Sequence, residues 1–235
     1  MLKIEHLTKK YGDKCAVDDL SLEVQAGQIC AFIGHNGAGK TTTLKAICDI
    51  ISFDGKIEVD GIDVKTAPMK AKQVIGYLPD NPDLYEHLKA IDYLSFIAEV
   101  YKVSKEDFTN RVKTYGVRLA ILDDLVKPIQ SMSHGMKQKV ALLSLLIHKP
   151  KLYLLDEPFV GLDPTSAHEL KQIMKEECEA GSAFFYSTHV LEVAEKICSH
   201  VAIIKDGKLI ASGSLEKVKG DKSLENIFLE IGSND

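Results

Sequence analysis

Gln28-Ile-Cys-Ala-Phe-Ile33 runs without interruption into Gly34-His-Asn-Gly-Ala-Gly-Lys-Thr-Thr42. The first stretch has the continuous apolar character of a strand covered on both faces, and Thr41 to Ile50 reads as a helix. Between them the spacing Gly34-x-x-x-x-Gly39-Lys40-Thr41 fits a phosphate-binding loop. Glycines let the backbone turn its N–H groups inward around a phosphate, and the opening turn of the next helix adds unpaired N–H groups and a positive dipole end. The candidate cradle is therefore Gly34, His35, Asn36, Gly37, Ala38 and Gly39. Lys40 would reach the β- and γ-phosphates, Thr41 would offer its hydroxyl to Mg²⁺, and Thr42 would donate to the α-phosphate.

A local device of this kind is needed because the whole chain carries no attractive field for a polyanion. Its 235 residues have a net charge of −5, which disfavours nucleic acid as a partner. No stretch approaches the length of apolar sequence that spans a bilayer, and Met1-Leu-Lys-Ile-Glu-His-Leu alternates charge with apolar side chains unlike a signal peptide. The expectation is a globular protein that is neither exported nor membrane-spanning. Five cysteines, odd in number and without C-x-x-C spacing, read as reduced thiols and not as zinc ligands or a disulfide framework.

Outward from the glycine loop, Lys3–Leu7 and Leu20–Val24 alternate as strands of an antiparallel layer, and Lys56–Val64 reads as a hairpin turning at Asp60-Gly61. Val74–Leu78 is a strand ended by Pro79. Leu84–Tyr101 and Phe108–Leu125 are helix-like, with Leu84, Leu88, Ile91, Leu94, Ile97 and Ala98 on one face. Leu152–Leu155 and Ala183–Ser187 are short buried strands around a helix at Thr165–Glu179; His200–Ile204 and Lys208–Ser212 form a hairpin through Asp206-Gly207. Strands alternating with helices imply an α/β fold with a mainly parallel sheet. The expected organisation is one domain: an α/β body at 1–79 and 151–212, a helical insertion at 80–150, and a helical tail at 213–235 with Leu224, Ile227, Phe228 and Ile231 on one face.

A second chemical station is Leu152-Tyr-Leu-Leu-Asp156-Glu157-Pro158, where four apolar residues deliver two carboxylates to a strand's C-terminal end, the edge at which open α/β sheets bind ligands. Asp156 would enter the Mg²⁺ shell and Glu157 would polarise water. With Ser131-Met-Ser133-His134-Gly135-Met136-Lys137-Gln138 before it, and Gly161-Leu-Asp163 and Ser187-Thr-His189 after it, the chain resembles the nucleotide-binding subunit of an ATP-binding cassette (ABC) transporter over nearly its whole length. The resemblance implies a P-loop NTPase core, an inserted helical subdomain, ATP and Mg²⁺ as ligands, and ATPase activity. It also implies a paired, most simply homodimeric, cassette on the inner face of the cell membrane, acting through separate permease subunits.

Residue by residue, the resemblance makes Tyr11 the aromatic that stacks on adenine, although by itself Tyr11 reads as a surface residue. It makes His189 the histidine that contacts the γ-phosphate, and puts Asp163 at the contact between paired subunits. Ser133 and Gly135 would cap a nucleotide held by the partner cassette. Two positions depart from the family: His134 stands where the signature has glycine, and Asp80 stands where many members have a glutamine beside Mg²⁺. The tail resembles that of exporter-type cassettes. A soluble ABC ATPase and a weakly hydrolysing nucleotide switch are the competing readings.

Overall fold

A computed structural model describes residues 1–233. In chain order it contains β1 (Leu2–Tyr11), β2 (Lys14–Val24), β3 (Ile29–Ile33), α1 (Lys40–Ile47), β4 (Asp54–Val59), β5 (Ile62–Asp63), α2 (Pro68–Val74) and β6 (Ile75–Leu78). Three helices follow, α3 (Ala90–Val100), α4 (Lys105–Arg118) and α5 (His134–His148). The remainder is β7 (Leu152–Asp156), α6 (Pro164–Glu179), β8 (Ala183–Thr188), α7 (Leu191–Ile197), β9 (His200–Lys205), β10 (Lys208–Ser214), α8 (Leu215–Lys219) and α9 (Leu224–Ser233).

The strands make two sheets. One is antiparallel with the order β2-β1-β4-β5; the other has the order β10-β9-β3-β8-β7-β6 and is parallel except for the β9–β10 hairpin. Side chains alternate across a strand, so each central strand feeds two cores. Cys30, Phe32, Leu152, Leu154, Phe185, Ala202 and Ile204 pack with Leu44 and Ile47 of α1 and with Leu2, Ile4, Leu20 and Val24 of the antiparallel sheet. Ala31, Ile33, Tyr153, Leu155, Phe184, Tyr186, Val201 and Ile203 pack against residues of α3 to α7. Covering both faces is why these strands read as continuous apolar runs.

The parallel register also builds the edge that matters. Ile33 of β3 stands beside Thr188 of β8, Asp156 of β7 beside Ser187, and Leu78 of β6 beside Leu155. The glycine loop, Asp156-Glu157, His189 and Asp80 all leave the sheet from this one edge. The α/β class, the mainly parallel sheet and the N-terminal antiparallel layer agree with the sequence reading.

Several boundaries move. The helix expected at Thr41–Ile50 ends at Ile47, where Asp49 turns left-handed (φ 52) and Ile50 N–H donates to Lys45 O. The helix expected from Leu84 begins at Ala90. Residues 86–89 are drawn away by a distant partner: Ile129 N–H bonds Leu88 O, Gln130 N–H bonds Glu86 O, and Lys89 pairs with Pro128. Leu88 is accordingly exposed, while Leu84, Leu94 and Ala98 are buried. The helix expected at Phe108–Leu125 runs from Lys105, capped by the Ser104 side chain, to Arg118; Ala120 is left-handed and a short 3₁₀ turn, Leu122–Asp124, follows. β10 continues to Ser214, past the expected start of the tail at 213.

All five cysteines are free, and Cys30, Cys48, Cys178 and Cys198 are buried. Burial pushes the Cys48, Cys178 and Cys198 thiols up to about 12, and that of Cys30 up as well. A thiol reagent at pH 8 is therefore expected to modify Cys15 first in the native protein and all five cysteines only after denaturation, as read by mass spectrometry. Phe185, fully buried and 5.0 Å between ring centroids from Phe32, fills the space between the two sheets. Phe185→Ala is expected to lower the unfolding free energy in a urea titration by about 3–5 kcal/mol; a loss under about 1 kcal/mol would contradict this packing.

Candidate nucleotide site

Gly34 and Gly39 are glycine for steric reasons. A Cβ on Gly34 would lie 2.5 Å from Ile204 O, and one on Gly39, whose φ is 112, would lie 2.5 Å from Ala16 O. The loop is thus pressed against β9 and β2 and opens α1 with a left-handed residue that supplies no side-chain cap. The uncapped first turn of α1 keeps its N–H groups for another acceptor. Lys40 lies folded across the loop, its Nζ donating to Gly34 O (2.6 Å) and His35 O (3.1 Å). Burial lowers its pKa, against the opposing pull of the Glu157 and Asp156 carboxylates.

Facing the loop, Asp156 is buried at the end of β7. Thr41 Oγ1 donates to its Oδ2 (2.7 Å) and Ser187 Oγ to its Oδ1. Glu157 turns the chain in the left-handed region (φ 50), and its N–H donates to Ser187 O and Oγ, each at 3.2 Å. A non-glycine residue there is strained, and the strain sits at the carboxylate expected to do chemistry. His189 Nδ1 donates to Glu157 Oε1 at 2.9 Å.

One cavity of about 320 Å³ collects most of these groups. Tyr11, Asn36, Gly37, Gly39, Lys40, Thr41, Thr42, Asp80, Asp156 and Glu157 line it, together with Lys14 and Ala16. Gly34, His35 and Ala38 support the loop without lining the cavity, and His189 reaches it through Glu157. Tyr11 is half-exposed and pairs in register with Lys14 at the end of the first hairpin, so an aromatic and a basic residue both line the cavity there.

Ser133, Gly135 and Asp163 do not line this cavity; they belong to a separate cluster. Ser133 caps α5 by accepting from Met136 N–H, and Asp163 caps α6 by accepting from Ser166 N–H. A Cβ on Gly135 would lie 2.4 Å from Gly161 O, and one on Gly161 would lie 2.9 Å from the His134 ring. Lys139 Nζ pairs with Asp163 Oδ2 at 2.6 Å; the ammonium and the Ser166 donors hold the Asp163 carboxyl well below the usual range. Motif reading passed over Lys14, Lys139 and Ser187. Lys14 was legible from its place across the hairpin from Tyr11, whereas Ser187 and Lys139 act through partners 31 and 24 positions away in the chain.

The family model described as ABC transporter matches residues 17–160. The chain belongs to the ABC transporter family. The ABC transporter ATP-binding protein MJ1023 of Methanocaldococcus jannaschii is 38% identical over 218 residues, covering 92% of this chain and 79% of that protein. The ABC-type transporter ATP-binding protein EcsA of Bacillus subtilis is 32% identical, covering 100% and 98% respectively. The solved structure of an ATP-binding subunit of an ABC transporter matches with a TM-score of 0.95 at 30% identity, over 99% of this chain and all of that one. A dimeric cassette solved with ADP and Pi shares the fold, with a TM-score of 0.82 at 23% identity over 92% of this chain and 99% of that one. The protein is thus the ATP-binding, ATP-hydrolysing subunit of an ABC transporter, and among the described residues no helix of this cassette is long and apolar enough to cross a membrane.

Within the cassette, Ser187→Ala removes the hydroxyl shared by Asp156 and Glu157 N–H. Steady-state ATPase rates are expected to fall about tenfold or more, the order of an oriented hydrogen bond to a charged group, with nucleotide affinity changed less than threefold. An unaltered rate would show that Ser187 does not hold the acidic pair.

Proposed function

We propose that the cassette hydrolyses Mg·ATP as one half of a head-to-tail pair and drives a separate permease in the direction of export. The observation that carries the reading is the joining of the glycine loop to the acidic strand end: Thr41 bonds Asp156, and the adjoining Glu157 bonds His189. The oxygen donors of Thr41, Asp156 and Asp80 suit a hard divalent cation. Among the described residues no group of three or more His, Cys, Asp or Glu side chains could hold a metal alone. That fits Mg²⁺, which takes one or two carboxylates and completes its shell with phosphate oxygens and water. Bound there, Mg²⁺ would neutralise charge on the β- and γ-phosphates.

The remaining work falls to the chain's own residues. Tyr11 stacks on the base, and the loop from Gly34 to Gly39, with the uncapped start of α1, holds the phosphates. Lys40 exchanges its loop carbonyls for β- and γ-oxygens, and Thr42 donates to the α-phosphate. Glu157 accepts from a water in line with the γ-phosphorus; His189, donating to Glu157, keeps that carboxylate oriented and stands beside the γ-phosphate. Because Ser133, Gly135 and Asp163 lie outside the cavity, a second cassette presents them across the pair. On this reading residues 80–150 act as the helical subdomain within the body formed by 1–79 and 151–212, followed by the tail at 213–235. The cassette sits on the inner membrane face through its permease. Export follows from the tail's likeness to exporter cassettes, and the net charge of −5 favours this reading over a nucleic-acid partner.

Glu157→Gln removes the water-polarising carboxylate and keeps its size. Turnover is expected to fall at least 100-fold, while ATP converts the variant to a stable dimer in size-exclusion chromatography; a variant that remains monomeric with ATP would sink the paired-cassette reading. Asp80→Asn is expected to reduce permease-stimulated hydrolysis more than basal hydrolysis. Equal loss of both would remove Asp80 from coupling. Direction is tested in vesicles made with the co-expressed permease: ATP supplied on the cassette side should drive substrate away from that side.

A further inference from the structure

We propose that Phe228 of α9 is a positioning residue for the phosphate loop, acting through His35. This rests on the nucleotide-binding reading above and extends it to the C-terminal helix. The Phe228 ring lies 4.4 Å from the His35 imidazole, centroid to centroid, with the planes at 46°. His35 is the keystone of the loop's backbone: its carbonyl accepts from Ala38 N–H (3.1 Å), closing the turn, and from Lys40 Nζ (3.1 Å), parking the lysine. The residue whose ring Phe228 contacts is therefore the residue whose main chain organises the loop.

Helix α9 is anchored to do this. Its first N–H, from the buried Leu224, donates to the Glu195 carboxylate at 2.8 Å. That bond is the main reason the Glu195 carboxyl titrates below its usual range. Ile227, Phe228 and Ile231 pack against the core, and Ile231 O accepts from Lys205 Nζ at 3.0 Å. Glu195 lies in α7, which begins two residues after His189. Helix α9 is thus held on α7 through Glu195 and from there lays an aromatic ring on the loop that holds the phosphates.

A glycine-rich loop must be ordered before its N–H groups can converge on a phosphate, and ordering it on binding costs conformational entropy. The ring contact makes part of that ordering permanent. A single aromatic contact of this type corresponds to about a three- to tenfold change in affinity. The effect falls on ATP binding and not on the chemical step, because Glu157 and His189 are held by other contacts.

The test uses the full-length protein and compares Phe228→Ala, His35→Ala, the double variant, Phe228→Tyr and Leu229→Ala. ATP affinity is measured by calorimetry, with KM, kcat and melting temperature in parallel. Phe228→Ala is expected to raise Kd and KM about three- to tenfold with kcat within about twofold. His35→Ala should do the same, and the double variant should be no worse than either single one. Phe228→Tyr should restore affinity, and Leu229→Ala, whose side chain is exposed on the same helix, should match wild type. If Phe228→Ala only lowers the melting temperature while the folded protein binds ATP normally, or if the two single effects add, the proposal is overturned. Lys40→Ala separates the underlying reading: wild-type protein binding ATP no better than this variant would overturn nucleotide binding itself, and the Phe228 role with it.

Discussion

The site depends on one buried carboxylate having two hydroxyl partners. Asp156 is 2% exposed, and a charge at that depth is tolerated only when it is hydrogen-bonded. Its two oxygens accept from Thr41, at the start of α1, and from Ser187, on β8. These bonds cross-tie β7 to β8 and to the helix that follows β3. The requirement to satisfy Asp156 therefore fixes how the phosphate loop stands relative to the acidic strand end. Ser187 extends the tie by receiving the Glu157 N–H while the backbone is in its left-handed turn, and Glu157 in turn bonds His189. A chain of satisfied polar groups thus runs from the loop to the histidine across three strands.

The parallel sheet is what makes such a chain short. In an antiparallel arrangement the C-terminal ends of neighbouring strands alternate between the two edges. Here β6, β7, β8 and β3 all discharge their loops on one side, so residues up to 148 positions apart, Thr41 and His189, belong to one network. Steric demand adds to the register. Gly34 and Gly39 let the loop pass within contact of Ile204 O and Ala16 O, which brings the antiparallel hairpin carrying Tyr11 and Lys14 over the cavity mouth. The antiparallel layer therefore packs α1 on its apolar face and closes the nucleotide cavity at its end.

Much of this was legible where the signal is local. The loop spacing, the apolar runs of β3, β7 and β8, and the Asp156-Glu157 pair are short-range patterns, and each stands where its pattern required. What failed was set at a distance. Leu84–Lys89 has helical spacing, yet backbone pairing with residues 127–130 keeps it out of α3, and no feature of the segment itself announces a partner some forty residues away. Helix α5 posed the opposite difficulty. Gln138 to Ile147 is buried throughout, so it lacks the one-sided stripe by which a helix is recognised. Ser187 and Lys139 were missed for a third reason: each acts by hydrogen bond or charge on a residue that motif reading had already chosen.

The separation of Ser133, Gly135 and Asp163 from the cavity has its own physical logic. Gly135 packs on the Gly161 carbonyl so closely that it has no space for a Cβ, the His134 ring takes the space a Cβ on Gly161 would need, and Lys139 ties Asp163 to α5. The start of α5, the loop at Gly161 and the start of α6 are thereby joined, and that loop begins four residues after Glu157. A force applied to the N-terminus of α5 would be passed through backbone contact and an ion pair to the segment that carries Glu157, with little side-chain slack to absorb it. His134 fits the same geometry: its ring occupies the space that a Cβ on Gly161 would need, space that a smaller residue would leave unfilled. The departure from glycine at 134 is thus accommodated within the chain by the absence of a side chain at 161, and its cost or benefit falls on whatever approaches the N-terminus of α5 from outside.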